Sequence, residues 1–263
     1  MAESGKFLYE LNNGHKDQIL TLDISVNGSL LASGGKDKTI VIWDFKEKRI
    51  VKTLSYQESY VTSVKISPNG RYLLSGGSNN MAYIYDIEND TITACFSDHT
   101  ESITAVAFSP DGSLFATCGG DKKIIIYNTG SRKPITTLSG HKNWVRDLTF
   151  SNDGARILSC GDDSRVISWN VSNLSFIKIN EISEYGHNWI LSTDINFDNK
   201  SYVSGGMDCR IRVISQFGNY FAKTEAPITR VLFKPNEGIY LKVAVATRGQ
   251  GVFLIDAKNM TAD

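Results

Sequence analysis

The feature that most limits what this chain can fold into is a repeat. Segments beginning at His15, Gln57, His99 and His141 align without a gap, each start lying 42 residues after the one before. Two looser copies follow, from about 187 and about 226. The ends of their third apolar runs fall at Trp43, Tyr85, Tyr127, Trp169, Ile214 and Ile255, which makes six repeats. A period of this length marks an architecture in which one supersecondary unit stacks on copies of itself.

The texture inside each repeat is all-β. Short runs rich in Val, Ile, Leu, Tyr and Phe alternate with turn sequences such as SPNG, SPDG and SNDG, and then SGG or CGG. Asn69-Gly70, Asp111-Gly112 and Asp153-Gly154 are expected to supply the positive-φ positions of tight hairpins. Each copy reads as three strands followed by a fourth, such as RIVKTLS, that leads into the next copy. A four-stranded sheet alone cannot bury both faces, whereas a radial stack of such sheets can.

Composition narrows the function. The 263 residues carry 28 basic and 28 acidic side chains, so no overall field draws the chain toward nucleic acid or an acidic membrane. No stretch approaches the roughly 18 apolar residues that span a bilayer, and the first residues lack the apolar core of a signal peptide. Cys95, Cys118, Cys160 and Cys209 have neither zinc-site nor disulfide-framework spacing. The expectation is a cytoplasmic protein, or a nuclear one in a eukaryote, with no cofactor, metal or small-molecule substrate.

Gly14-His15, Gly140-His141, Trp43-Asp44 and the near-match Trp169-Asn170 bring a family into view. The chain resembles the WD40 family from Phe7 to about Asp256. That resemblance implies one domain over residues 1–263, a WD40 β-propeller of six four-stranded blades. It further implies buried His, Ser/Thr, Asp and Trp networks: His15, Ser33, Asp37 and Trp43 in the first repeat, and His141, Ser159, Asp163 and Trp169 in the fourth. His99, Thr117 and Asp121 form a third, with Tyr127 in place of Trp. The chemistry suits burial, because polar groups are tolerated in a core only when satisfied together.

The other repeats depart from this pattern. The second offers Gln57, Ser75, Asn79 and Tyr85, and the fifth His187, Ser204, Asp208 and Ile214. The sixth has Val245, Gly249 and Ile255 and is expected to rest on apolar packing. It also supplies only three strands. Phe7–Leu11 alternates apolar residues and is the expected fourth, closing the ring between the two termini.

Enzyme chemistry finds little material. His15, His99 and His141 occupy the repeat position and His187 lies near it, leaving no histidine to activate a nucleophile. Ser33-Gly34-Gly35-Lys36 lacks the spacing and strand-to-helix context of a phosphate loop. Cys118 and Cys160 share one repeat position and read as core filler. In WD40 propellers the loop before the first strand and the turn between the second and third share one rim, where partners are usually gripped. By resemblance the rim here is Leu20, Lys36, Tyr60, Thr62, Ser102, Thr104, Trp144, Arg146, Asp162, Trp189, Met207 and Arg248. Large aromatics with arginine match the composition of interface hot spots. The reading is a non-catalytic scaffold that docks a protein or peptide segment on that rim within a larger assembly. The alternatives are a sensor propeller cut from a longer signalling protein and, less favoured by the neutral charge, a nucleic-acid-associated propeller.

Overall fold

The computed structural model describes residues 10–172, 177–182, 188–216, 218–233, 242–249, 251–256 and 261–262, the segments 177–182 and 261–262 by backbone alone. They form six antiparallel sheets. Blade one holds β1 (Ile19–Ile24), β2 (Leu30–Gly35), β3 (Ile40–Asp44) and β4 (Arg49–Leu54). Blade two holds β5 (Val61–Ile66), β6 (Tyr72–Gly77), β7 (Ala82–Asp86) and β8 (Thr91–Phe96). Blade three comprises β9 (Ile103–Phe108), β10 (Leu114–Gly119), β11 (Lys123–Asn128) and β12 (Lys133–Ser139). Blade four comprises β13 (Val145–Phe150), β14 (Arg156–Gly161), β15 (Val166–Asn170) and β16 (Ile177–Ile182). Blade five has β17 (Ile190–Ile195), β18 (Tyr202–Gly206), β19 (Arg210–Ser215) and β20 (Gly218–Lys223). Blade six has β21 (Ile228–Phe233), β22 (Lys242–Thr247) and β23 (Gly251–Asp256), and β24 (Thr261–Ala262) pairs with β20. This is a six-bladed β-propeller, as the repeat predicts.

Two details differ from the expectation of six four-stranded blades. The short β24 gives blade five a fifth strand, because the chain after β23 returns to the outer edge of β20 rather than to its own blade. Blade six has three strands among the described residues. Of the expected closing strand, residues 7–9 lie outside the described set, and Glu10 and Leu11 are not in a strand.

The turn chemistry is sharper than the sequence reading. Only the glycine of each expected pair is left-handed, with φ of 74° at Gly70, 71° at Gly112 and 69° at Gly154. Its partner acts through the side chain instead: Asn69 Oδ1 accepts from Arg71 N at 3.1 Å, and Asp111 Oδ1 accepts from Ser113 N at 3.0 Å. These are Asx turns, in which a short polar side chain imitates the next peptide.

The core is divided among the interfaces between blades. Ala32, Ile40 and Ile42 of blade one meet Val61, Val64 and Ile66 of blade two. Leu74, Ala82 and Ile84 then meet Ile103, Val106 and Phe115, and the same pattern continues through blades four, five and six. Small residues make the close approach possible. A Cβ added at Gly34 would sit 2.5 Å from Val61 Cγ1, at Gly76 2.5 Å from Ile103 Cγ2, and at Gly205 2.6 Å from Ile228 Cγ2. The first strands of successive blades pack on one another, which sets them around the axis. Among the described residues, no shared cluster joins blade six to blade one.

Candidate functional site: the rim and its supports

One hydrogen bond recurs in every blade. The amide after the second strand donates to the carbonyl of the residue just before the first strand: Lys36 to Gln18, Ser78 to Tyr60, Gly120 to Ser102, Asp162 to Trp144, Met207 to Trp189 and Arg248 to Pro227, at 2.8–3.0 Å. Each predicted pair of loop and turn is therefore tied together at one end of its sheet.

Beside each tie lies a β-bulge. The register slips between Ile19 and Thr21, Val61 and Ser63, Val145 and Asp147, Ile190 and Ser192, and Ile228 and Arg230, and blade three slips between Cys118 and Gly119, opposite Thr104. A bulge inserts one unpaired residue and re-aims its side chain. Leu20, Thr62, Thr104, Arg146, Leu191 and Thr229 hold that place. Sequence comparison found most of these positions, but not the backbone feature that makes them special.

The bulge residues have different tasks. Thr62 Oγ1 donates toward Gly76 O at 2.9 Å in its own blade and Ile103 O at 2.6 Å in the next. Thr104 Oγ1 does the same toward Cys118 O and Val145 O. These two tie blades together, so their polar atoms face structure rather than solvent. Ser102 Oγ likewise reaches Ser78 O at 3.2 Å. Leu20, Tyr60 and Trp189 are instead about half exposed, Arg248 is exposed, and Lys36 and Met207 are partly so.

Blades four and five build a closely packed part of the rim. The Arg146 guanidinium lies over Trp144 at 4.8 Å and over Trp189 at 5.5 Å from the ring centroids. It also donates two bonds to Asp162, Nε to Oδ1 at 2.7 Å and Nη2 to Oδ2 at 2.5 Å. Trp144 lies against Gly120, where a Cβ would come within 2.8 Å of the indole. Arg146 thus spends its planar fork on a carboxylate of its own blade while its faces contact two indoles. The product is a fixed platform with Trp189 as its open face.

Beneath the rim, the expected networks are present. His15 Nδ1 donates to Asp37 at 3.0 Å, Ser33 Oγ donates to His15 Nε2 at 2.7 Å, and Trp43 Nε1 donates to Ser33 Oγ at 2.9 Å. His141, Asp163, Ser159 and Trp169 repeat this at 3.0, 2.8 and 2.8 Å. His99 bonds Asp121 at 2.9 Å and Thr117 at 2.8 Å, but Tyr127 donates its hydroxyl to Asp98. Burial works against the Asp37 charge, yet bonds from Lys16 N, His15 and Thr39 outweigh it and hold the carboxyl down at about 2.

The weak repeats diverge as physics requires. Gln57 Nε2 donates to Ser75 Oγ at 2.9 Å, while its buried Oε1 has no partner among the described residues. In blade five, Asp208 accepts from Arg212 and from Arg210 N, and the buried Ser204 hydroxyl has no partner among the described residues. His187 lies outside the described residues. Val245 of blade six is fully buried in apolar surroundings.

One group of residues escaped the sequence reading. On the first strands of blades four to six, Asp147 Oδ2 accepts from Ser192 Oγ at 2.9 Å, Thr193 N at 3.2 Å and Arg230 Nη1 at 3.0 Å. Asp194 accepts from Phe233 N at 2.8 Å, and burial pushes its carboxyl up to about 6. Cys118 and Cys160 are fully buried; burial pushes the Cys118 thiol up to about 12 and raises Cys160 as well, which suits core filling. Among the described residues, no cluster of three or more His, Cys, Asp or Glu is placed to hold a metal ion. No helix there is long and apolar enough to cross a membrane.

Comparison with known proteins agrees with this architecture. The model of the WD domain, G-beta repeat, matches residues 5–44, 48–86, 90–128, 132–170 and 179–215. WD repeat-containing protein 18 of Rattus norvegicus is 42% identical over 41 residues, and the Homo sapiens protein of that name 38% over 42. Each alignment covers 16% of this chain and 10% of the relative, so the chain matches about a tenth of those proteins' length. Propellers of this type are typically protein-interaction scaffolds. With five matched segments over most of its length and six blades in its fold, the chain belongs to the WD40-repeat family.

Proposed function

We propose that this propeller is a non-catalytic scaffold that docks a peptide or protein segment on its rim. The observation that carries the reading is the Trp144–Arg146–Trp189 platform, held by Asp162 and sharing the rim with half-exposed Tyr60 and Leu20. Rigid aromatics beside a fixed charge lose little side-chain entropy on binding, which is why such groups dominate interface energetics. The histidines that would serve an enzyme, His15, His99 and His141, are committed to buried networks.

The geometry refines the chemistry of docking. Arg146 already holds Asp162 with both prongs, so its role is to position the indoles, and the partner's apolar or aromatic side chains meet Trp189 and Tyr60. Partners captured by the purified chain and identified by mass spectrometry provide the test. Trp189→Ala and Tyr60→Ala should each weaken capture by about 2 kcal/mol, roughly thirtyfold, with melting unchanged. Lys48→Ala, in the turn after β3, should have no effect. Full-strength capture by the Tyr60→Ala, Trp189→Ala double variant would place the docking surface elsewhere.

A further inference from the structure

Every blade interface inside this chain follows one scheme, and the scheme breaks between blade six and blade one. The first strand of each incoming blade sets two buried residues against the preceding sheet: Val61 and Val64, Ile103 and Val106, Val145 and Leu148, Ile190 and Thr193, Ile228 and Val231, all apolar but Thr193. The same positions in blade one are Ile19 and Leu22, and Leu22 is 59% exposed. On the opposite side, Val252 and Leu254 of β23 correspond to Ile40 and Ile42 of β3. They are 72% and 57% exposed, whereas Ile40 and Ile42 are buried.

Capping hydrogen bonds join several neighbouring blades, though not blades three and four, where Ala105 and Ala107 hold the capping positions. Thr21 Oγ1 accepts from Val64 N at 3.1 Å and Asp23 Oδ2 from Ile66 N at 2.8 Å, so blade one caps two amides of blade two. Ser192 and Asp194 cap Val231 N and Phe233 N of blade six in the same way. The amides of blade one at these positions belong to Leu22 and Ile24. The equivalent capping positions of blade six hold Arg230, drawn away to Asp147, and Leu232, which has no acceptor. Thr229 is the counterpart of Thr62 and Thr104. Its hydroxyl reaches Ala246 O of its own blade at 3.3 Å, with no second carbonyl from a following blade among the described residues.

We propose that this seam receives a blade-like antiparallel β-sheet from a partner polypeptide. Its first strand carries hydroxyl or carboxylate side chains at two positions, two residues apart. One face of that sheet brings branched apolar residues to Ala246, Val252 and Leu254. The other brings the two acceptors to Leu22 N and Ile24 N, and a backbone carbonyl of its first strand takes the Thr229 hydroxyl. The occupant is specified by continuity with the interfaces of blade one with blade two and of blade five with blade six, where both acceptors are present. A second copy does not meet the requirement, because its blades two to five are covered on both faces and its remaining faces are these same two. This surface is separate from the rim.

The chain's own first repeat has the required chemistry, with Ile19 and Leu22 on one side and Thr21 and Asp23 on the other. A fluorescein-labelled peptide of residues 15–54 is therefore the probe, added to the purified full chain and followed by anisotropy. Saturable binding is expected. It should weaken at least tenfold in the Leu22→Glu and Leu254→Glu chains, both exposed sites that leave melting unchanged, and should be untouched by Trp189→Ala. A probe carrying Thr21→Val and Asp23→Leu should also bind at least tenfold more weakly. Absence of saturable binding, or binding indifferent to both seam variants, overturns the proposal. So does a dimer of the chain that Leu22→Glu dissociates, which assigns the seam to a second copy. Strong protection of the Leu22, Ile24 and Val252–Leu254 amides from hydrogen exchange in the free chain also overturns it, since the chain would then close its own seam.

Discussion

Replacing Asp163 with alanine tests whether the polar networks hold the blades in place. The Asp163 side chain is nearly buried, accepts from His141 Nδ1 at 3.0 Å and from Lys142 N at 2.8 Å, and lies 4.0 Å from Arg165 Nε. Burial opposes its charge, yet the bonds from His141 and the Lys142 amide hold its carboxyl below the ordinary range, so it is ionised at neutral pH. Alanine leaves the buried imidazole N–H without an acceptor, whereas the Lys142 amide can turn to water. One orphaned buried donor costs about 1–3 kcal/mol, so a loss near 2 kcal/mol is expected. Asn79 occupies the same place in blade two but accepts from Met81 N only at 3.4 Å, beside a glutamine rather than a histidine. Its replacement by alanine should cost under about 1 kcal/mol. Urea unfolding followed by circular dichroism and tryptophan fluorescence measures both, provided the two probes give coincident transitions. With a slope of about 3 kcal/mol/M, Asp163→Ala lowers the midpoint by about 0.7 M. Equal midpoints for the two variants would refute the idea that the histidine network is what fixes blade four.

Two further outcomes follow from packing and burial. Gly76→Ala places a Cβ 2.5 Å from Ile103 Cγ2 across a blade interface and should cost about 1–3 kcal/mol by overpacking; an unchanged melting temperature would show that the interface yields freely. Asp194 is raised by burial to about 6 from an ordinary 3.8, despite bonds from Phe233 N and Ile195 N and the charge of Arg230, with Asp147 adding to the rise. Its contribution to stability is therefore complete below about pH 4 and lost as pH rises through 6. Asp194→Asn keeps an acceptor for Phe233 N and should remove that part of the slope of stability against pH between 4 and 6. The same slope in both proteins would exclude this carboxyl as its source.

What was legible in the sequence was whatever the repeat copied. The 42-residue period placed the blades, and side chains at fixed offsets placed His15, Asp37, Ser33 and Trp43 within reach of one another. The pairs Lys36–Gln18 and Asp162–Trp144 fell on one rim for the same reason. What differed between copies was hidden. Asp147, Ser192 and Arg230 occupy one repeat position with three different chemistries, and only the ring brings Asp147 beside the other two. The bulge that aims Leu20, Thr62, Thr104 and Arg146 is a slip in pairing and leaves no composition signal of its own. Thr62 and Thr104 looked like rim residues because they share that position with Arg146, yet their short hydroxyls are taken up by carbonyls of their own and the next blade. The strand β24 is two residues long and follows no period, so nothing announced its return to blade five.

Docking on the rim is read most directly by photo-crosslinking. A benzoyl-phenylalanine placed in turn at Tyr60, Trp189 and Lys48 is irradiated with a captured partner, and the adducts are mapped by mass spectrometry. Tyr60 and Trp189 are half exposed on the rim, and Lys48 is exposed in the turn after β3. Adducts from Tyr60 and Trp189 to one continuous segment of the partner, with none from Lys48, is the predicted result. Adducts from Lys48 alone, or to unrelated partner segments from the two rim sites, would contradict it.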